Sequence, residues 1–270
     1  MLRTRILTAV VLASILLAGL FLLPARWAVI GFGVVFTIGA WEWGSFGALR
    51  GFKPRAAYAA GVAVLLLLTW RWTVDRQHLL LLLYAACLWW LIAVLWLSLA
   101  PTRHHPALAL VCGLPVLVPA FVSLARLAVS SDGLARGPQL VLWLVLLVIA
   151  ADIGAYFAGR NWGKRKLAPR VSPGKTCEGA LGGLVMVLLV AWLGAEHFAL
   201  SLPPTLAFGL AVGIFSIVGD LTESMFKRAV GLKDSGALLP GHGGLLDRID
   251  SVTAAAPLYA LGLFGSGVIL

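Results

Sequence analysis

Residues 216–251 read SIVGDLTESMFKRAVGLKDSGALLPGHGGLLDRIDS and decide how the chain is read. Asp220, Glu223, Asp234, Asp247 and Asp250 share this stretch with Lys227, Arg228, Lys233 and Arg248, and apolar runs of membrane-span length flank it. A charge near the centre of a bilayer costs about 2.5–3.5 kcal/mol on insertion scales, so ionisable residues inside a span mark function. Asp220, Glu223, Ser224 and Lys227 follow i, i+3, i+4, i+7 spacing and share one helix face. Leu221, Met225, Phe226 and Val230 supply the apolar back of the same helix.

Composition agrees with that reading. The 270 residues are 61% hydrophobic and 12% charged, with a mean hydropathy of +0.98. A soluble domain is about 45–50% apolar and about 25% charged. An all-α, polytopic integral membrane protein is expected, with lipid replacing water around most outward faces. The apolar runs define about nine transmembrane helices: 6–23, 27–49, 56–72, 79–100, 108–129, 139–158, 178–200, 204–229 and 252–270. The first has no A-x-A cleavage site after it and reads as a retained span. Linkers are short, so one membrane domain is expected. Residues 1–135 are expected to be N-terminal spans of mainly structural role, and 136–270, which hold the ionisable stretches, to be the C-terminal region that carries the function.

Orientation follows from the cations. With the N-terminus inside, sixteen of the 21 Lys and Arg fall in inside segments, and only Arg26, Arg71, Arg76, Arg126 and Arg136 fall outside. The positive-inside rule then gives N-in, C-out. The net charge of +10 lies in short loops between spans, which suits anionic headgroups and argues against a nucleic-acid partner. Cys87 and Cys112 sit in apolar runs as small hydrophobes, Cys177 sits in a polar loop, and no disulfide framework is implied. Glu42, between Trp41 and Trp43, reads either as a buried functional carboxylate or, the favoured reading, as an interfacial residue among belt tryptophans. His104 and His105 read as a solvated loop pair, and Arg126 as a snorkelling side chain.

The sixth span ends in polarity, with Asp152, Tyr156, Gly159 and Gly163 at helical spacing. Asp152, one turn inside, reads as functional. The following loop carries Ser172-Pro173-Gly174-Lys175-Thr176-Cys177-Glu178-Gly179. A P-loop would need glycine where Pro169 stands and a strand before it, and no strand is expected here. What remains is a hydroxyl, a lysine and a hydroxyl ahead of a helix start, a phosphate-binding arrangement. Thr176 also reads as an N-cap with Glu178 in the first turn. Gly179 and Gly183 form a helix-packing GxxxG.

Carboxylates at the density seen in 220–250 repel unless cations neutralise them. The lysines and arginines of the stretch are one source. Mg²⁺, with or without a second cation, is the other, because hard oxygens suit it together with substrate phosphates. Gly241-His242-Gly243-Gly244 allows close backbone approach to an anion. Asp250 and Ser251 also read as N-caps of the last span, which makes Asp247 the better ligand.

The run Ser224-x-Phe226-Lys227-Arg228-x4-Lys233-Asp234-x-Gly236-x2-Leu239-Pro240-x-His242-Gly243-Gly244-Leu245-x-Asp247-Arg248-Ile249-Asp250 resembles the signature of bacterial-type phosphatidate cytidylyltransferases, or CDP-diacylglycerol synthases. Gly219-Asp220-Leu221-x-Glu223, the Ser172–Gly179 loop and Asp152–Lys164 also resemble the family; Gly174 stands where many members carry a second lysine. The resemblance covers residues 150–260. It implies transfer of the CMP moiety of CTP to phosphatidate, with release of pyrophosphate, at the inner face of a bacterial cell membrane, by a chain that pairs as a homodimer. It further implies Asp220 and Asp247 as metal holders. Lys227, Arg228 and His242 complete the catalytic set. Asp152, Ser172, Lys175, Thr176, Glu178, Glu223, Ser224, Lys233, Asp234, Gly243, Gly244, Arg248 and Asp250 are implied at the substrates.

An ion-coupled transporter with an intramembrane carboxylate site is the alternative. Against it, the polar residues cluster at one face and no internal repeat is visible. The pattern of a CDP-alcohol phosphotransferase is absent. A scaffold would leave the dense carboxylates without a purpose.

Overall fold

The computed structural model describes residues 2–99, 106–130 and 137–265. They form nine helices, one for each apolar run: α1 (Leu2–Phe21), α2 (Ala25–Trp43), α3 (Phe52–Trp72), α4 (Arg76–Leu99), α5 (Pro106–Val129), α6 (Gly137–Trp162), α7 (Cys177–His197), α8 (Leu202–Ala229) and α9 (Asp250–Gly265). Six of them, α3 to α8, are long and apolar enough to cross a membrane. The apolar part of α1 is shorter, Ile6–Phe21. Helix α9 has 16 residues, about 24 Å at 1.5 Å per residue, below the roughly 30 Å of a hydrocarbon core. The remaining residues assigned to that ninth run, 266–270, lie outside the described residues, as do His104 and His105.

One element departs from the all-helical expectation. Strand β1 (Lys166–Ala168) pairs antiparallel with β2 (Ser172–Thr176), so a short hairpin precedes α7 where no strand was expected. Pro173 and Gly174 within β2 give the sequence no strand propensity to read. Local hydrogen bonds close the hairpin instead. The Cys177 N–H donates to the Arg165 carbonyl at 2.8 Å, and the Glu178 carboxylate accepts from the Lys164 and Arg165 amides at 3.0–3.2 Å.

Helix α5 is the hub, with Val116 to Ala125 buried without a break, packed between α2 and α9. Helix α9 is buried nearly all round, and Tyr259 at its middle donates to the Leu140 carbonyl of α6 at 3.1 Å. Helices α6 and α7 pack as a close pair. A Cβ at Gly154 would meet the Gly182 carbonyl, and one at Gly183 the Ala151 carbonyl. The small-residue spacing read from Gly179 and Gly183 therefore packs as expected.

Two expectations about single residues change. Arg126 does not reach outward; its guanidinium lies over the Trp70 ring at 3.9 Å and donates to the Trp70 carbonyl at 2.5 Å, tying α5 to the end of α3. Cys87 is half-buried, whereas Cys112 is buried.

Candidate active site

The polar face of α8 starts where α9 touches it. A Cβ at Gly219 would strike the Asp250 carbonyl, so this glycine lets the start of α9 lie against α8 and brings Asp250 to Asp220. Further along the face, Ser224 Oγ donates to Asp220 at 3.3 Å. Lys227 Nζ lies 3.1 Å from Glu223 one turn back and 2.6 Å from Asp247. The helical spacing thus gave the Glu223–Lys227 pair; the Asp247 partner arrives from a 3₁₀ turn, Leu246–Arg248.

Asp247 holds more than Lys227. It accepts from the Ser235 and Gly244 amides, each at 2.9 Å to Oδ2. Burial disfavours its charge, but the Lys227 ammonium and the two amides outweigh burial and hold the carboxyl below the usual carboxylate range. Gly243, at φ +84°, makes the turn that points the Gly244 amide inward.

Asp152, Asp220, Lys227, Asp234, Asp247, Arg248 and Asp250 line one cleft of about 270 Å³. The two acidic segments of the sequence meet in it, together with Asp152 from α6. A second cavity of about 380 Å³ adjoins it between α6, the hairpin, α7 and α8, with Ala151, Ala155, Tyr156, Leu167 and Ile217 on its apolar wall and Arg160, Lys175 and Thr176 at its polar edge. Asp152 borders both cavities. At the seam, Lys175 from β2 forms an ion pair with Asp220.

The remaining sequence candidates lie around this pair of cavities. Thr176 caps α7, its hydroxyl accepting from the Gly179 amide at 3.1 Å, and Glu178 holds the hairpin base. Ser172 is half-buried on β2. Arg228 bridges the hairpin and the loop after α8 through the Val171 and Leu232 carbonyls. Lys233 is exposed. His242 borders neither cavity; its carbonyl accepts from Arg248 at 2.8 Å, and its ring Nδ1 has no partner among the described residues. Lys227, read from the sequence as one of the catalytic set, is 6% exposed and engaged by two carboxylates.

For Glu42 the buried of the two sequence readings holds, not the favoured interfacial one. It is 3% exposed, not interfacial, and accepts from Ser235 Oγ at 2.9 Å, the Leu245 amide at 3.1 Å and the Leu246 amide at 2.8 Å. Trp43 beside it is likewise buried, with Nε1 donating to the Ala109 carbonyl at 2.7 Å. Nothing in the local sequence could reveal this, because the donors lie about two hundred residues away.

Among the described residues no three His, Cys, Asp or Glu side chains converge as a finished metal cage. Beside the Lys227 and Arg248 cations, the cleft nevertheless offers hard carboxylate oxygens. That donor set fits a divalent cation whose other ligands are water and substrate phosphates.

Acidic oxygens and cations at one end of a helical membrane bundle, beside an apolar cavity, define a membrane-embedded enzyme acting on phosphate esters. Residues 3–264 match the model of the cytidylyltransferase family, and the chain belongs to that family. It is similar to the phosphatidate cytidylyltransferase of Pseudomonas aeruginosa, 44% identical over 99% of this chain and 98% of that one. The enzyme of the same name from Haemophilus influenzae is 39% identical over 98% and 99%. That of Helicobacter pylori J99 is 35% identical over 94% and 89%.

Proposed function

We propose that this protein transfers the CMP moiety of CTP to phosphatidate, forming CDP-diacylglycerol and pyrophosphate for phospholipid synthesis. The observation that carries the proposal is the pair of adjoining cavities, one acidic and one apolar, that share Asp152. A triphosphate with its counter-cation suits the first, and a diacyl phosphate the second. A phosphate oxygen of phosphatidate bonds to the α-phosphorus of CTP, and the bond from that phosphorus to the β-bridging oxygen breaks. The attacking phosphate is already ionised near neutral pH, so no strong general base is needed. Catalysis is then mainly positioning and charge neutralisation.

Asp220 and Asp247 are the proposed holders of Mg²⁺, with or without a second cation. Asp220 faces the cleft with Asp152 and Asp250 nearby, while Asp247 would share an oxygen already accepting from Lys227, Ser235 or Gly244. When bound, the cation would neutralise the α-phosphate and the departing pyrophosphate. Lys175, Arg228, Lys233 and Arg248 supply positive charge to the phosphates. Lys227 holds Asp247 against Glu223. His242, Gly243 and Gly244 shape the loop beside the triphosphate, and Ser172, Thr176 and Glu178 shape the hairpin.

The same reading takes all nine helices as spans, N-in and C-out, in a bacterial inner membrane. The site then faces the cytoplasm, where CTP is available. The cation count by segment supports that orientation. Residues 136–270 carry the chemistry, residues 1–135 are scaffold apart from Glu42, and the chain works as a homodimer. The test is purified protein with labelled CTP and phosphatidate, with and without Mg²⁺. Label should enter a CDP-lipid only when both substrates and Mg²⁺ are present; no labelled lipid under any condition would overturn the reading.

A further inference from the structure

We propose that Glu42 of α2 is a positioning residue for the reaction, acting on the site through the loop 235–247; this rests on the transferase reading above. Its carboxylate is buried and takes three donors from that loop: Ser235 Oγ, Leu245 N–H and Leu246 N–H. The last two are free amides at the start of the 3₁₀ turn that carries Asp247 and Arg248. Asp247 grips the same loop from the other side through the Ser235 and Gly244 amides. Ser235 is the joint, with its hydroxyl on Glu42 and its N–H on Asp247.

The loop is built around this side chain. A Cβ at Gly236 or at Gly244 would run into the Glu42 carboxylate. The end of α2 is fixed in turn. Trp43 is bonded to α5 and packs on Phe226 with ring centroids 5.2 Å apart, next to Lys227. Glu42 thus sets where Asp247 stands relative to Lys227 and Asp220 without touching either cavity. A carboxylate is required because three donors converge on two oxygens. An amide would present its own NH₂ to at least one of them, leaving a buried donor unsatisfied.

Glu42→Gln separates positioning from substrate binding. Wild-type CMP transfer is measured first; no activity there overturns the transferase reading itself. With active wild type, Glu42→Gln should lower kcat at least tenfold while KM for CTP stays within about twofold. Exchange of the Leu245 and Leu246 amides with deuterium should quicken, with α5 unchanged. Wild-type kcat, or unaltered exchange at those two amides, would overturn the inference. If Glu42→Gln fails to fold, Ser235→Ala decides: it removes one of the three donors and should lower kcat about threefold with faster exchange at Leu245 and Leu246. Wild-type turnover and exchange in Ser235→Ala would then sink the proposal.

Discussion

Two non-helical segments border the paired cavities, and they are held in different ways. The loop 233–250 is tied down from within. Glu42 and Asp247 grip its amides, and Lys227 is wedged between Asp247 and Glu223. The hairpin 164–176 is tied at its base by Glu178 and Cys177, at its turn by Arg228 on the Val171 carbonyl and on β2 by the Lys175–Asp220 pair, but leaves Lys164, Arg165, Lys166 and Arg170 exposed. Buried, fully bonded carboxylates define a geometry to within a bond length. Exposed cations on a short ribbon adapt to whatever anion they meet. The loop is thus the reference frame of the site and the hairpin its adjustable wall.

Lys227→Ala would break that contrast most severely. Removing the ammonium leaves Glu223 buried without a partner and Asp247 with only its two amide donors, and breaking a buried pair costs about 3–5 kcal/mol. The melting temperature in detergent and CMP transfer should both collapse. Asp220→Asn should spare stability, because Asp220 is half-exposed, yet reduce turnover on the order of 10²–10³-fold. Activity near wild type there would remove Asp220 from the cation site. Lys175→Ala, on the adjustable wall, should raise KM for one anionic substrate on the order of tenfold with an unchanged melt; an unchanged KM would argue against a phosphate contact. Glu178→Gln is the mildest change. It should quicken amide exchange at Lys164 and Arg165 and leave both melting and kcat near wild type.

Hydropathy located each helix of the described residues, because an apolar run of helical length stands out in the sequence. The acidic face of α8 was equally readable, since i, i+3, i+4 and i+7 spacing is a property of one helix. Contacts between distant segments were not. Trp41 and Trp43 around Glu42 suggested a membrane interface, but Trp43 is core and Glu42 serves amides contributed by another part of the chain. The role of Lys227 shifted for the same reason: its second carboxylate comes from twenty residues away. The hairpin escaped because Pro173 and Gly174 carry no strand signal and its pairing is held by Glu178.

The Lys175–Asp220 pair spans the seam between the two cavities. An incoming phosphate that draws the ammonium to itself uncouples the carboxylate in the same event. On the proposed reading, a reactant phosphate taken up by Lys175 would leave Asp220 open to the cation of the other reactant, so that one ion contact would link the two compartments.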